Sequence, residues 1–298
     1  MQVPPLARSA LDRDHASRLA ADAIDRALEE PATRIIAIAG DRAPVRDGAL
    51  VRLQPDELPW HLEHVEPRVP LSWLGRERVA EGRGAGGVVL SLLIAEPFEV
   101  DAAEWRSLRE VGAELDDADA GIFVQAVALG AWQRESHHSP LDGGPAVFEE
   151  SGWVRRDESG AAHFPRTDPA VIVAIHDAAD DRIVLGHNAA WPEGRYSLIA
   201  GFVDPGESLE AAVVREAHEE TGLRVERPRY LGSQPWPFPR SLMLGFECVT
   251  SDPEAVRPDG VEILDVRWFT RDELRAGVVQ LPGATSIASW IIDAWLQR

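Results

Sequence analysis

Lysine is missing from this chain: all 30 basic residues are arginine. That excludes a P-loop lysine, a Schiff-base lysine and a lysine general base, so any grip on phosphate must come from Arg, backbone N–H groups or a metal ion. Cysteine is nearly missing too. The one thiol, Cys248, lies in an apolar strand-like run, where it reads as a small core residue, and it allows neither a disulfide within the chain nor a cysteine metal site. No apolar run reaches membrane-spanning length, and the N-terminus lacks a secretory pattern, so a cytoplasmic protein without membrane contact is expected. Positive charge is short as well: the formal net charge is −20. A broad electrostatic hold on nucleic acid is thereby disfavoured, although a local basic pocket for a dinucleotide is not.

What is present describes a globular chain. Its 298 residues suffice for two domains, and 45% hydrophobic with 27% charged residues is an ordinary balance. Residues 14 to 30 predict one amphipathic helix, with Leu19, Ala23, Ile24 and Leu28 at helical spacing. Strands are predicted at Arg34–Ala39, Ala49–Leu53 and Val88–Ala95, and Gly82–Gly87 reads as a loop because its spacing is no dinucleotide fingerprint. Asp116 or Asp117 caps a long helix reaching about Trp132. From Gln133 to Ala162 the chain is rich in Ser, His, Asp, Gly and Pro and reads as a connector. Its histidines, His137 and His138, and the following His163, have no metal-ligand spacing and read as exposed loop residues.

Strand patterns dominate after Asp168. Ala170–Ile175 and Arg182–Gly186 form a predicted pair, followed by strands at Arg229–Gly232, Leu242–Val249 and Ile263–Phe269. The last element is a helix with Ile287, Trp290, Ile291, Ala294 and Trp295 on one face. Between these strands stand two motifs. The first is GFVDPGESLEAAVVREAHEETGL, residues 201–223. Ser208 opens a short helix on which Glu216 faces Glu219 and Glu220, three and four positions on. Like charges so placed repel, and a hard divalent cation with oxygen ligands would offset them. The second is SQPWPFPRS, residues 233–241. Its prolines preset a short loop that carries Trp236 and Phe238, suited to a planar base, with Gln234, Arg240 and Ser241 beside them.

Gly201, Glu207, Arg215, Glu216, Glu219, Glu220 and Gly222 fall at the spacing of the Nudix hydrolase signature, with only the aliphatic slot weakly filled by Ala217. Together with SQPWPFPRS, HFPRTDPAVI (163–172) and LREVGAELDDADAGIFVQAVALGAW (108–132), the chain resembles the NADH pyrophosphatase branch of that superfamily, also known for NAD-capped RNA hydrolysis. The resemblance covers most of the chain and is loose before residue 100. It implies an α+β protein: a rudimentary Nudix-like domain over residues 1–132, a connector over 133–165, and a catalytic α/β/α Nudix sandwich with a mixed sheet over 166–298. It implies a homodimer that splits the diphosphate of NADH or NAD into AMP and nicotinamide mononucleotide. Glu216, Glu220, Glu262 and the Ala200 carbonyl would hold Mg²⁺ or Mn²⁺. Arg109, Phe164, Phe202, Ala288 and the loop residues Gln234, Pro235, Trp236, Pro237, Phe238, Pro239, Arg240 and Ser241 would contact substrate.

In mechanism, divalent ions polarise the diphosphate while a carboxylate activates water. Glu219 is the first choice for that base, with Glu220 and Glu262 open beside it. Arg215 orients the carboxylates, and Glu207 suits the helix dipole and could pair with Arg215. One departure from the family stands out. Members usually carry a four-cysteine zinc ribbon between the domains, and here Ser139, Asp142, Asp157 and Ser159 lie at or near those places. Hydroxyls do not replace thiolates, so no zinc is expected and the connector would be held by packing alone. Rival functions are decapping of NAD-capped RNA, another Nudix substrate such as ADP-ribose or a diadenosine polyphosphate, and a nucleotide-sensing module without catalysis.

Overall fold

Residues 34 to 39, Arg-Ile-Ile-Ala-Ile-Ala, are apolar on both faces, which only a strand covered on both sides can use. The computed structural model, which describes residues 3–58, 71–78 and 86–298, places them at the centre of a sheet. Its strands are β1 (Leu11–Asp12), β2 (Arg34–Ala39), β3 (Arg42–Arg46), β4 (Ala49–Leu50), β5 (Ser72–Glu77), β6 (Val88–Ile94) and β7 (Glu104–Ser107). They run in the order β1-β5-β6-β2-β3-β4, with β7 also on β3, and β2 and β6 are parallel. Two helices precede β2, namely α1 (His15–Arg18) and α2 (Ala23–Glu29); α3 (Leu108–Val111) and α4 (Asp117–Glu135) follow β7. Ile36 and Ile38 pack in a cluster with Ile122, Phe123 and Val127 of α4, whereas Ile35 and Ala37 pack with Ala23 and Ala27 of α2.

The single helix expected over residues 14 to 30 is two short ones. Ala23 and Ala27 are buried and Ile24 and Leu28 pack beside them, but Leu19 is 48% exposed, so the stripe gains little burial at the point where the helix stops. The expected strand Ala49–Leu53 is reduced to two residues, with Leu53 making an isolated bridge to Ile35. Asp116 caps α4 as expected, accepting from the Asp119 N–H at 2.8 Å. The loop reading of Gly82–Gly87 lies outside the described residues except for Gly86 and Gly87.

The connector is not irregular. It forms the antiparallel sheet β10-β9-β8 from β8 (Ala146–Glu149), β9 (Val154–Asp157) and β10 (Ala162–His163). Nor is packing its sole support. Asp157, whose side chain is 1% exposed, gathers five hydrogen bonds. Oδ1 accepts from the Ser159 hydroxyl at 2.6 Å and from the N–H groups of Ser159 and Ala161 at 3.0 and 2.9 Å. Oδ2 accepts from the Ser139 hydroxyl at 2.8 Å and lies 2.9 Å from His163 Nε2, which donates in the tautomer protonated there. His163 is therefore no exposed loop residue, and His137 is half-buried, 3.5 Å from an Arg155 nitrogen; of the three, His138 is exposed.

The second half folds around β11 (Asp168–Asp177), with β12 (Arg182–Asn188), β13 (Ile199–Phe202), α5 (Leu209–Thr221), β14 (Val225–Trp236), β15 (Ser241–Thr250), β16 (Ile263–Thr270), α6 (Arg271–Arg275) and α7 (Ile287–Leu296). The sheet order is β14-β15-β11-β12-β16, with β13 also on β11 and with β11 parallel to β15. Alternation along β11 sorts the core. Val171, Val173 and Ile175 pack with Ala212, Val213 and Ala217 of α5, and Ile172 and Ala174 pack with Ile287, Ile291 and Trp295 of α7. Cys248 is buried in the first of these clusters.

By internal contacts the chain divides into two units. One holds Asp168–Pro235 and Ser241–Arg298 with the chain start up to Pro5; the other holds Leu6–Thr167 and Trp236–Arg240.

Candidate active site

The helix α5 is defined at both ends by its sequence. Ser208 is its N-cap, accepting from the Ala211 N–H at 3.2 Å, and Gly222 ends it in a left-handed conformation at φ 69°. Ala212, Val213 and Ala217 are fully buried against the sheet. The small residue in the aliphatic slot thus sits where the helix meets β11. Because Glu216 and Glu220 flank that buried stripe, they too are drawn down, to 8% and 6% exposure, while Glu219 stays exposed.

Arg215 ties the carboxylates together. Its Nε donates to Glu207 Oε1 at 2.9 Å and its Nη2 to Glu207 Oε2 at 2.7 Å and to the Phe202 carbonyl at 2.9 Å. Its Nη1 donates to Glu216 Oε1 at 2.7 Å and Glu219 Oε2 at 3.0 Å. Every guanidinium N–H is used, so Arg215 has no donor left for a phosphate. Glu207 also accepts from the Asp204 N–H at 3.1 Å, closing the turn before the helix, and Arg215 holds its carboxyl below the ordinary range.

Gly201 explains itself here. A Cβ on it would lie 2.0 Å from Glu216 Oε1, so the carboxylate can rest on the β13 backbone because there is no side chain. Glu220 differs from its neighbours. Among the described residues it has no cationic or hydrogen-bonding partner, and burial, then the charges of Glu262, Glu216, Asp259 and Glu219, push its pKa up to about 8. Burial likewise raises Glu216, against the pull of Arg215.

A cavity of about 490 Å³ opens over this cluster. The structure brings to its walls Ala200, Phe202, Arg215, Glu216, Glu219, Glu220, Ser241 and Glu262 from the expected set, together with Asp204 and Met243. Glu262 is positioned by side chains the sequence reading passed over: Asp259 caps its backbone and Asn188 Nδ2 lies 3.3 Å from its Oε1. The Asp259-Gly260 turn signal was the trace they left.

The rest of the expected substrate set is elsewhere. Ala288 is buried in the α7 cluster, and the Gln234 amide is buried, donating to the Thr285 carbonyl at 3.0 Å. Phe164 is 64% exposed. The presumed loop 233–241 is mostly strand: β14 runs to Trp236, and only residues 237–240 turn. β14 is an edge strand, the place in a sheet where prolines such as Pro228 and Pro235 are tolerated. Trp236 and Phe238 pack edge to face at 4.9 Å and lie against the α4 cluster, with the Arg109 guanidinium 3.8 Å from the Phe238 ring centre and 5.0 Å from that of Trp236. Arg240 pairs with Glu135 at 2.9 Å. Pro237 is buried and Pro239 exposed.

The cluster suits a hard divalent cation. Its donors are all oxygen, and one of them, Glu220, is buried among like charges without a counter-charge. Among the described residues no three His, Cys, Asp or Glu side chains form an already closed ligand set; Arg215 draws Glu216 and Glu219 to itself.

The chain is similar to known proteins. Residues 166–291 match the family model described as NUDIX domain. The NAD-capped RNA hydrolase NudC of Mycobacterium bovis (strain BCG / Pasteur 1173P2) is 40% identical over 308 aligned residues, covering 98% of this chain and 95% of the relative. The protein of the same name from Stutzerimonas stutzeri (strain A1501) is 34% identical over 237, covering 77% of this chain and 83% of the relative. Among solved structures, a NUDIX hydrolase from Nitrosomonas europaea aligns with 54% of this chain and 90% of its own at 23% identity and a TM-score of 0.43.

Proposed function

The chain belongs to the Nudix hydrolases, in the family of the NAD-capped RNA hydrolases NudC and NADH pyrophosphatases, and on that footing we propose that it hydrolyses the diphosphate of NADH or NAD to AMP and nicotinamide mononucleotide. The observation that carries the proposal is the cavity in which Glu216, Glu219, Glu220 and Glu262 converge, while Arg215 is spent on Glu207, Glu216 and Glu219 and leaves Glu220 without a counter-charge among the described residues.

Glu220, Glu262, Glu216 and the Ala200 carbonyl would hold Mg²⁺ or Mn²⁺ in this reading. When bound, the ion polarises the diphosphate and offsets its charge. Glu219, exposed at the cavity and oriented by Arg215, accepts the proton of the attacking water. The water oxygen bonds to one phosphorus as the bridging P–O bond breaks, and the bridging oxygen leaves on the other phosphate. Phe202, 57% exposed at the rim, and Ser241 are placed to meet the dinucleotide. The rings of Trp236 and Phe238, expected to stack on a base, already contact each other and Arg109; a base would have to share them.

One observation favours a second substrate: the near full-length similarity to proteins named NAD-capped RNA hydrolase. The same bond would be cleaved, with the RNA leaving as a 5′-monophosphate. Purified protein with Mg²⁺ or Mn²⁺, offered NADH, NAD, ADP-ribose and NAD-capped RNA with the products separated chromatographically, tests both. Glu220→Gln should lower turnover by roughly 10²–10⁴-fold. Near-normal hydrolysis by that variant, or a wild type that leaves all four intact, would sink the reading. A homodimer in the cytoplasm remains part of the proposal, and light scattering on the purified protein reads the oligomeric state. No helix among the described residues is long and apolar enough to cross a membrane.

A further inference from the structure

Glu262 stands outside secondary structure, in the bend just before β16, and is exposed, as is its neighbour Val261 at 81%. A side chain so placed should swing freely, yet nearly every polar group around it is tied. Asp259 Oδ1 accepts from three successive backbone N–H groups, those of Val261 at 2.9 Å, Glu262 at 3.1 Å and Ile263 at 2.9 Å. Gly260, at φ 76°, allows the turn that brings them round one carboxylate, and its own N–H reaches the Ile263 carbonyl at 3.1 Å. On the other side the Ala189 N–H donates to the Glu262 carbonyl at 2.8 Å. Asn188, at a bulge in the β12–β16 ladder, points its Nδ2 at Glu262 Oε1 while its Oδ1 accepts from the Ala190 N–H at 2.9 Å.

We propose that Asp259 and Asn188 are positioning residues: they fix Glu262 against Glu220 and thereby set the affinity of the site for its divalent cation. The inference rests on the proposed diphosphatase activity. Its physical basis is that Glu262 and Glu220 wall the same cavity and repel each other once both are ionised, as a metal ion requires, so an untethered Glu262 on an exposed bend would turn out to solvent. Three N–H bonds to Asp259 fix the backbone from which it projects, and Asn188 fixes the carboxylate itself. The two act at different atoms of one residue.

The test is calorimetric titration of the full-length protein with Mn²⁺, without substrate, alongside NADH hydrolysis. Asp259→Ala should weaken Mn²⁺ binding about tenfold, the scale of losing a residue that orients a metal ligand. Asp259→Asn, which keeps one acceptor oxygen, should fall between it and wild type. Glu262→Gln should weaken binding too, and Asp259→Ala added to Glu262→Gln should cost nothing more. Should Asp259→Ala not fold, Asn188→Ala, which removes the contact with the Glu262 carboxylate and the bond from the Ala190 N–H but leaves the Asp259 bonds in place, decides by the same titration. Unchanged Mn²⁺ affinity in the folded variants, or a second full loss in the double variant, overturns the inference. A wild type that binds Mn²⁺ but hydrolyses no dinucleotide overturns the proposed activity instead.

Discussion

Glu220 holds its proton at neutral pH because burial and four neighbouring carboxylates disfavour its charge, raising its pKa to about 8. A cation entering the cluster must displace that proton. Metal affinity is therefore expected to rise with pH up to about 8 and to level off above it, and calorimetry in buffers of different ionisation enthalpy should count one proton released per ion. Without metal the sign reverses for stability. Between the ordinary carboxylate value and about 8 the folded chain binds more protons than the unfolded one, so its stability falls as pH rises through that window. Glu220→Gln should flatten this slope; a slope equal to wild type would show that Glu220 is not the group responsible. At the same scale, Gly201→Ala forces Glu216 off the β13 backbone, since the new Cβ would meet it at 2.0 Å. A displacement of that order in a catalytic site costs about 10²-fold in turnover, and steady-state kinetics on NADH would read it.

The element whose character changed most between sequence and structure is the β14–β15 hairpin. Its prolines suggested a preset loop presenting two aromatics. In the structure the turn is four residues long, and Trp236 and Phe238 pack on the α4 cluster under Arg109. Phe238→Ala is therefore expected to lower stability as well as to raise KM. For a half-buried ring the stability loss should be about 2 kcal/mol, below the 3–5 kcal/mol of a fully buried one. Chemical denaturation gives that number, and an unchanged midpoint would show that the ring does not contribute to the core. An unchanged KM for both Phe238→Ala and Trp236→Ala would leave the hairpin with a structural role alone.

Over the whole molecule, both units follow one plan: a mixed sheet with a parallel central pair, β2 with β6 and β11 with β15, and helices on two faces. The connector is the part held differently. Serine hydroxyls, backbone N–H groups and His163 converge on Asp157, and these bonds, led by that of Ser159, hold its carboxyl well below the usual range. Such a group contributes stability above its unfolded pKa near 4 that is lost as pH falls further. Asp157→Asn offers one acceptor oxygen to five donors, and a melting temperature lower by roughly 5–10 °C is expected. Chelation should abolish activity, which Mg²⁺ or Mn²⁺ alone restores, without lowering the melting temperature of the connector. Stoichiometric zinc in the purified protein, with a large drop on chelation, would refute this.

Sequence by itself determined the elements whose reason is local. The ends of α5 follow from Ser208 and Gly222, the capped start of α4 from Asp116, and the alternation of β11 from residues that must face two helices. Glu216, Glu219, Glu220 and Arg215 were legible for the same cause, since helical spacing alone puts them together. Tertiary structure decided what depends on partners distant in the chain. Leu19 stayed half exposed and its helix broke; Trp236 and Phe238 were claimed by the α4 cluster; Asp157 gathered donors from 18 residues before it and 6 after it. The proton on Glu220 belongs here as well. Glu216 and Glu219 act on it from the same helix, but its burial and the charges of Glu262 and Asp259 come only with folding, and no spacing in the sequence states how near Glu262 comes.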